Sequence, residues 1–264
     1  MDIDWAETWK RYMQGLNRVK DVSFWDSRAA RDNGNWKILS ELTKKQLERI
    51  DVDFRCKVLE IGSGTGRLTI PLAKVAERVT VIEPSKEMLK LLVVNLKKHG
   101  LDNVSFICKR WEDVEIGADI DRHDIVIASL SLLMIDIRDA LLKMDAAAKS
   151  FVYLFVPAES WMPFELQRIV FDNKAPFNLS DHIIIYNLLD GMGIKANISI
   201  INYKVEQGFN NLEELRSELM NMYNIPESKE EELENYINQH VDSKDDSVYY
   251  IRNKKVATIW WEKT

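Results

Sequence analysis

Apolar side chains recur at helical spacing near the start of the chain. The recurring positions are Trp5, Trp9, Tyr12, Met13 and Leu16. Residues three or four apart share one face of a helix, so this spacing predicts an amphipathic helix with an aromatic face. A second helix is predicted over residues 36–50, with Leu39, Leu42 and Leu47 facing inward. The segment between these helices, SFWDSRAARDNGNW, has no clear period and predicts a loop.

Five short apolar runs rich in β-branched residues follow, and they predict strands. The runs are KVLEI, RVTVIE, VSFIC, DIVIAS and SFVYLFV, between residues 57 and 156. Helical segments separate them, among them KEMLKLLVVNLKKHG, which closes at Gly100, and IRDALLKMDAAAK. Pro71 lies within another such segment and predicts a helix that starts late or bends, because proline lacks a backbone donor. Strands that alternate with helices predict a doubly wound α/β fold with a mostly parallel sheet.

The alternation loosens after the fifth predicted strand. The segment ESWMPFELQRIVFDNKAPFNLS predicts an irregular insertion with a short helix, and DHIIIYNLLDGMG predicts a helix from an Asp181 cap to a glycine. IKANISIINYKVEQGF predicts a long strand. Two further helices are predicted from capping-box spacings, Asn211 with Glu214 and Ser228 with Glu231. The terminal SVYYIRNKKVATIWWEKT alternates on both sides of NKK and predicts a hairpin.

These patterns divide the chain into three parts. Residues 1–50 are expected to form an N-terminal helical cap, and residues 51–157 are expected to form a ligand-binding core. Residues 158–264 are expected to complete the sheet, with helical insertions and a C-terminal hairpin, and to share one domain with the core. A chain of 264 residues is long enough to bury a substantial core in this arrangement.

Composition and charge narrow the classes of function. Hydrophobic residues make up 46% and charged residues 30% of the chain, as in an ordinary globular protein. The formal net charge is -6, and the short basic pairs lie apart from one another instead of forming a stripe. Because sequence-independent binding of nucleic acid depends on clustered cations, a nucleic-acid partner is disfavoured. The basic pairs are interpreted as solvated surface.

Nothing in the sequence indicates export, a membrane span or a metal site. Cys56 and Cys108 fall at the edges of two predicted strands, and no other spacing is typical of metal ligands or a disulfide. The start, MDIDWAETWK, lacks the apolar core of a signal peptide, and no run approaches the ~18 apolar residues of a membrane span. The sequence therefore predicts a cytoplasmic protein in a reducing compartment, without a metal or a membrane partner.

A glycine-rich loop follows the first predicted strand, in VLEIGSGTG. Gly62, Gly64 and Gly66 carry no side chain, so the backbone there can approach a nucleotide-like ligand closely. The dinucleotide fingerprint G-x-G-x-x-G fits poorly, because its last small position is occupied by Arg67. Glu60 would repel a pyrophosphate but attract a cationic ligand, and S-adenosylmethionine carries a sulfonium and an ammonium group. The sequence therefore favours S-adenosylmethionine over a dinucleotide.

The segment VLEIGSGTGRL resembles the glycine motif of class I S-adenosylmethionine-dependent methyltransferases, an acid followed by x-G-x-G-x-G. The resemblance extends over residues 36–156, and the terminal NKKVATIWWEK is similar to the closing strand of that family. It implies a Rossmann-like sheet of seven strands, mostly parallel with the last one antiparallel. It also implies that the core binds S-adenosylmethionine as its cofactor.

The same resemblance implies which residues hold the cofactor. Glu83 closes the second strand, where the carboxylate of that family accepts both ribose hydroxyls. After the third strand Arg110 stands in the place of the usual acid, and Trp111 is expected to cover an adenine face. Glu112, or a backbone group, is expected to take the adenine amino group, and Ser129 is expected to lie beside the methionine part. The cofactor-binding candidates are Glu60, Gly62, Ser63, Gly64, Gly66, Glu83, Pro84, Trp111, Glu112 and Ser129.

Several aromatic and histidine residues also have a purely structural interpretation. Trp111 is equally well explained as core packing, since large aromatic side chains are usually buried. The N-terminal tryptophans either line a lid over the substrate or simply pack against the core. His123 and His182 are candidate bases because imidazole titrates near neutral pH, but the sequence assigns no catalytic residue.

The function implied by the resemblance is methyl transfer by direct displacement at the sulfonium. We expect a small-molecule acceptor, enclosed by the N-terminal helices and the segment ESWMPFELQRIVF. Positioning of two bound reactants can supply much of the rate acceleration, so no dedicated catalytic residue is required. The loop after the fourth strand, ASLSLLM, lacks the Asn/Asp-Pro-Pro-aromatic signature of methyltransferases that modify base amines, which argues against DNA or RNA. Two alternatives stay open: a catalytically silent module that binds S-adenosylmethionine, and a nicotinamide-dinucleotide oxidoreductase. The identity of the acceptor molecule, its nucleophilic atom and the oligomeric state are not predicted.

Overall fold

A single sheet forms the centre of the structure. The computed structural model describes residues 3–34, 36, 38–160, 162–172, 179–244 and 247–263. The strands in this part of the chain are β1 (Lys57–Ile61), β2 (Arg78–Ile82), β3 (Val104–Ile107), β4 (His123–Ser129), β5 (Ala148–Pro157), β6 (Asn197–Phe209), β7 (Val241–Lys244) and β8 (Ser247–Glu262). Their order is β3-β2-β1-β4-β5-β8-β6, and β7 pairs with β8 outside this path.

The direction of the strands confirms the predicted fold class. Strands β1 to β5 are parallel to one another. Strand β8 runs antiparallel to both β5 and β6. The result is a mostly parallel α/β sheet whose last strand is antiparallel. The described sheet has eight strands and not the expected seven, because the short β7 adds to β8.

Helices cover both faces of the sheet. In the described residues they are α1 (Trp5–Gly15), α2 (Val22–Gly34), α3 (Ser40–Leu47), α4 (Thr69–Ala73), α5 (Lys86–Lys98), α6 (Ile137–Ala147), α7 (Phe164–Val170), α8 (Asp181–Gly191), α9 (Leu212–Tyr223) and α10 (Glu230–His240). Helices α1, α6 and α8 pack on one face, and α3, α4 and α5 pack on the other. Because successive strand residues face opposite sides, Leu59 lies in the first core and Val58 in the second. None of the described helices is long and apolar enough to cross a membrane.

A third, smaller core forms where β6 and β8 extend beyond their pairing with β5. Its members come from α7, α9, α10 and the two strands, and they include Leu166, Phe209, Leu219, Leu233 and Tyr250. The part of the chain after β5 therefore completes the sheet and adds a helical unit with its own core. The division of the chain into three parts stays a prediction.

The interpretation of SFWDSRAARDNGNW as a loop is wrong, because most of this segment belongs to α2. Helix α2 packs along α5 through polar side chains. Asp26 Oδ1 accepts a hydrogen bond from Ser85 Oγ at 2.6 Å, and Asn95 Nδ2 donates to Asn33 Oδ1 at 2.6 Å. Polar contacts leave no hydrophobic period in the sequence, so the pattern could not reveal this helix.

The starts of two other helices also differ from the predictions. The helix expected from residue 36 begins only at α3, and residues 35 and 37 lie outside the described part of the chain. Asp181 does not occupy the cap position of α8, which is held by Ser180. Asp181 lies in the first helical turn and pairs with Arg18.

One of the two predicted helix caps is present. Asn211 caps α9, since its side chain accepts a hydrogen bond from the backbone N–H of Glu214 at 2.8 Å. Ser228 does not cap α10. It lies in a short 3-10 turn before that helix, whose cap position is Lys229.

The predicted C-terminal hairpin around NKK is wrong. Strand β8 runs through these residues without a turn because β6 pairs with it along its length, with Lys204 opposite Asn253 and Tyr203 opposite Lys254. The hairpin of this region instead joins β7 to β8. Its connecting residues, 245 and 246, lie outside the described part of the chain. Pairing with the long strand β6 keeps β8 extended. The alternation of residues within the terminal segment does not reveal that partner strand.

A buried ion pair joins the segment after α1 to α8. Arg18 donates from Nη1 and Nη2 to the two carboxylate oxygens of Asp181, at 2.7 and 2.9 Å. The two side chains are only 4% and 1% exposed. The guanidinium carbon of Arg18 also lies 5.4 Å from the ring centroid of Tyr12, on α1. The first helix is therefore fixed to the body of the protein.

Removing either charge of this pair should destabilise the fold, because the other charge would stay buried without a counterion. Arg18→Met and Asp181→Leu should each lower the free energy of unfolding by about 3–5 kcal/mol. The double variant should regain much of that loss, since it buries no charge. Urea denaturation of the three variants measures this, and a double variant as unstable as the sum of the single ones would contradict it.

Candidate functional site

The strand order reverses between β1 and β4, and a crevice opens there at the carboxyl ends of the strands. A cavity of about 670 Å³ lies in this crevice. Its walls come from the glycine loop after β1, the ends of β2 and β4, the turn after β3, and the N-terminal segment around α2. All of the cofactor-binding candidates line this cavity except Gly66.

The three glycines turn the chain with backbone angles that other residues rarely adopt. Their φ values are 76°, 55° and 100° at Gly62, Gly64 and Gly66. A Cβ atom on Gly62 would lie 2.3 Å from Ser131 Cβ, and one on Gly66 would lie 2.4 Å from Leu92 Cδ1. A Cβ atom on Gly64 would meet nothing within 4 Å, so this position borders open space. Gly64 thus leaves room for a ligand, whereas its two neighbours allow close packing.

Glu60 is a buried acid in the cavity wall. It is 2% exposed, and its Oε2 accepts a hydrogen bond from Thr69 Oγ1 at 2.6 Å. Burial raises the pKa of Glu60 to about 7, although the Thr69 hydrogen bond and the positive charge of Arg67 oppose the rise. A cationic ligand in the cavity would favour its ionised form.

Glu83 joins the ends of β1 and β2. Its Oε2 accepts a hydrogen bond from the backbone N–H of Gly64, and its Oε1 accepts one from that of Ser85, both at 2.9 Å. Burial raises the pKa of Glu83, while these two hydrogen bonds oppose the rise. An ionised carboxylate has about four acceptor positions, so two remain for ligand hydroxyls. This geometry fits the two neighbouring hydroxyls of a ribose.

Ser63 adds a buried polar atom without a partner. Its residue is 6% exposed, and its Oγ has no hydrogen-bond partner in the described part of the chain. Buried hydroxyl groups are normally hydrogen-bonded, so an orphaned one in a cavity wall is consistent with a ligand contact. Pro84 continues the wall directly after Glu83.

The turn after β3 places Trp111 and Glu112 in the cavity wall. Trp111 is 2% exposed, and its Nε1 donates to the backbone oxygen of Ala140 at 3.1 Å. It belongs to the core under α6, so this tryptophan serves core packing and borders the cavity at the same time. The side chain of Glu112 is exposed, and its backbone oxygen accepts a hydrogen bond from Lys143 Nζ at 2.8 Å.

The chain turns sharply after β4, and residues of this turn, among them Leu130 and Ser131, line the wall. Leu130 has a φ of 57°, which is unusual for a bulky side chain and is often found at functional sites. Its N–H donates to the backbone oxygen of Phe155 at 2.8 Å. Ser131 Oγ donates to the backbone oxygen of Ile61 at 2.5 Å, which ties this turn to the end of β1. Ser129, the candidate of this region, lies directly before the turn.

The N-terminal segment supplies an aromatic wall. Trp25 and Trp36 line the cavity, and Trp36 Nε1 donates to Thr65 Oγ1 in the glycine loop at 2.8 Å. Trp9 and Tyr12 are fully buried in the core beneath α1. Trp9 and Tyr12 therefore pack in the core, whereas Trp25 and Trp36 border the cavity.

Sequence reasoning gave Arg67 no role beyond its mismatch with the dinucleotide fingerprint. In the structure Arg67 lines the cavity. Its Nη1 donates to Thr43 Oγ1 at 2.7 Å and to Gln46 Oε1 at 2.8 Å, and its Nη2 donates to Ser129 Oγ at 2.9 Å. These bonds connect α3 with the glycine loop and the end of β4. The only signal in the sequence was its position directly after the last glycine.

Neither candidate base lies at the cavity. His123 begins β4, at the opposite end of the sheet, between the backbone oxygen of Asp121 and Thr80 Oγ1, each at 2.8 Å. His182 lies near the start of α8, where its Nδ1 is 2.9 Å from Ser180 Oγ. Burial lowers the pKa of both imidazoles. In the described wall of the cavity there is no histidine, cysteine or tyrosine.

Glu60 should make the stability of the protein depend on pH. Its pKa rises from an ordinary 4.5 to about 7, so its contribution to stability is fully present below pH 4.5 and is lost as the pH rises through about 7. Between roughly pH 5 and pH 8 this group should lower the free energy of unfolding by about 2–3 kcal/mol. Glu60→Gln should remove that loss. Chemical denaturation of both proteins across this range measures it, and parallel pH profiles would contradict it.

Comparison with known proteins assigns the central part of the chain to a family. Residues 58–150 match a family model described as a methyltransferase domain. An uncharacterized protein of Haemophilus influenzae is 26% identical over 266 residues, which cover 98% of this chain and 97% of the relative. The probable ribosomal RNA small subunit methyltransferase A of Methanosphaera stadtmanae is 33% identical over 84 residues, 32% of this chain and 30% of the relative.

A solved structure described as the DhpI-SAM-HEP complex has the same fold. It is similar with a TM-score of 0.51 at 21% identity, over 71% of this chain and 92% of that one. The residues matched by the family model contain β1 to β4, and with them the glycine loop, Glu83 and the turn after β4. The central part of the chain, residues 58–150, is therefore a methyltransferase domain.

Proposed function

We propose that this enzyme transfers the methyl group of S-adenosylmethionine to a small-molecule acceptor, by direct displacement, in the cavity between the glycine loop and α2. The observation that carries this proposal is the cavity of about 670 Å³, which is bordered by the glycine loop and Glu83 but also by Trp25 and Trp36. Concave, largely apolar walls with a few polar groups are typical of small-molecule sites. The N-terminal segment provides such walls beyond the loop itself.

The proposed cofactor position follows the carboxyl ends of β1, β2 and β4. Glu83 would accept the ribose hydroxyls at its two remaining acceptor positions, next to its bond with the N–H of Gly64. Trp111 and Glu112 would flank the adenine at the turn after β3. Glu60 would face the positively charged methionine end, since it is the buried acid beside the loop.

S-adenosylmethionine supplies the methyl group and, as a sulfonium, a neutral thioether leaving group. The protein would hold the acceptor atom in line with the methyl carbon and exclude water, an effect worth several kcal/mol. The side chains available to receive a proton in the described wall are carboxylates, with Asp32 and Asp136 outside the proposed cofactor position. No catalytic base is assigned.

The charge of the cavity wall supports a small acceptor over a nucleic acid. Among the charged lining residues outside the proposed cofactor position, Asp32 and Asp136 balance Lys20 and Arg110. A nucleic-acid site needs an excess of cations, because its ligand carries one negative charge per nucleotide. The similarity to the ribosomal RNA methyltransferase favours the competing acceptor class, but it covers only 84 residues.

Replacing Glu83 tests the proposed ribose contact. Glu83→Gln keeps the shape of the side chain but turns one acceptor oxygen into a donor. At least one bond is then lost, among the two to the backbone and the two proposed to the ribose. Binding of S-adenosylhomocysteine, measured by titration calorimetry, should weaken about 10- to 100-fold. Glu77→Gln is the matched control, because Glu77 is exposed at the other end of β2 and should leave binding unchanged. Equal affinities for the two variants would rule out the contact.

The acceptor class is tested with cofactor that is labelled on its methyl group. The protein is incubated with this cofactor and either a fractionated metabolite extract or purified ribosomal RNA. Label should enter a low-molecular-mass product and not the RNA. Label in RNA alone would overturn the small-molecule acceptor. Binding of the cofactor without label in either sample would favour the catalytically silent module.

A further inference from the structure

Arg67 is a partly buried cation whose hydrogen-bond partners in the described structure are all uncharged. They are Thr43 Oγ1, Gln46 Oε1 and Ser129 Oγ, at 2.7 to 2.9 Å. No carboxylate in the described part of the chain lies within 4.0 Å of its guanidinium nitrogens. Burying a cation away from water costs free energy that neutral partners recover only in part. Burial accordingly lowers the pKa of Arg67. The guanidinium of Arg67 therefore lacks a counterion in direct contact among the described residues, and a ligand can supply one.

The guanidinium also has donors left for such a ligand. An arginine has five N–H groups, and the three bonds to Thr43, Gln46 and Ser129 engage three of them. The Nε–H and one Nη2–H have no acceptor in the described structure. These two adjacent nitrogens form the fork with which arginine binds a carboxylate in a bidentate way. Arg67 lines the cavity, so a ligand there can approach its guanidinium group.

An opposite charge lines the same cavity without pairing with Arg67. Glu60 accepts a hydrogen bond from Thr69, and the Glu60 and Arg67 charges act on each other's pKa although they form no ion pair. The carboxylate of Glu60 and the guanidinium of Arg67 are near each other without direct contact, so each can still bind an opposite charge on a ligand. They are complementary to a zwitterion, and the α-carbon of an amino acid carries both an ammonium and a carboxylate group.

We propose that Arg67 binds the α-carboxylate at the methionine end of S-adenosylmethionine, with Glu60 facing the α-ammonium group. This inference rests on the proposed function, because it takes the glycine loop as the cofactor site. The fork of Arg67 would form two charge-assisted hydrogen bonds to the carboxylate, and the ligand would supply the missing counterion. Arg67 would then distinguish the intact cofactor from nucleosides that lack the amino-acid end.

Helix α3 holds Arg67 in place before any ligand arrives. Two of its side chains bind the guanidinium, and two others fix the helix to the edge strand β6. Lys45 Nζ donates to the backbone oxygen of Asn202 at 2.7 Å, and Glu41 Oε2 accepts a hydrogen bond from the backbone N–H of Lys204 at 3.2 Å. A side chain that is already ordered loses less entropy on binding. Carboxylate recognition therefore depends on the N-terminal segment as well as on the core.

The test compares two ligands that differ only in the carboxylate. Binding of S-adenosylhomocysteine and of its decarboxylated analogue is measured by titration calorimetry for the wild type, Arg67→Gln and Arg67→Lys. Arg67→Gln should weaken binding of S-adenosylhomocysteine about 10- to 100-fold and change binding of the analogue less than about twofold. Arg67→Lys keeps the charge without the fork and should give an intermediate loss, confined to the intact ligand.

Arg78→Gln is the matched control, because Arg78 is an exposed arginine at the amino end of β2. This variant should bind both ligands as the wild type does. Equal losses for both ligands in Arg67→Gln would overturn the proposal, since the arginine would then support only the fold of the loop. Unchanged affinity for S-adenosylhomocysteine would overturn it as well. A wild type that binds neither ligand would instead refute the cofactor site itself, which separates the two failures.

Discussion

The chain can leave β1 as it does only because glycine occupies three positions with positive φ. Gly62 and Gly66 let side chains from the β4 turn and from α5 pack directly against the loop. Gly64 donates its N–H to Glu83, which binds the end of β1 to the end of β2. The other walls of the cavity are built onto this turn, so its backbone geometry sets where a ligand can lie.

The N-terminal segment takes part in the site through hydrogen bonds and not through a loosely covering surface. Asp26 binds the start of α5, Trp36 binds the glycine loop through Thr65, and Gln46 of α3 binds both Arg67 and Ser129. These bonds join the walls assigned to the acceptor with those assigned to the cofactor. Under the proposed function, a substitution in the N-terminal segment would therefore affect recognition of both reactants, even where it touches neither.

Local sequence was sufficient where one segment decides its own structure. The strand runs, the three glycines and the Asn211 cap all depend on residues close together in the chain, and each is present. It was insufficient where a distant partner decides. Helix α2 is held by polar contacts to α5, β8 stays straight because β6 pairs with it, and Asp181 pairs with Arg18 instead of capping its helix. The contacts of Arg67 were hidden for the same reason, since its partners come from α3 and β4.

The attachment of α3 to β6 has a consequence outside the cavity. β6 lies at one edge of the sheet, where unpaired backbone groups of an exposed strand can recruit a strand from another molecule. Lys45 and Glu41 occupy two of these groups, at Asn202 and Lys204. The helix that orders the ligand site thus also blocks part of a surface prone to aggregation. Displacing α3 would expose these backbone groups and also remove the Thr43 and Gln46 hydrogen bonds that hold Arg67.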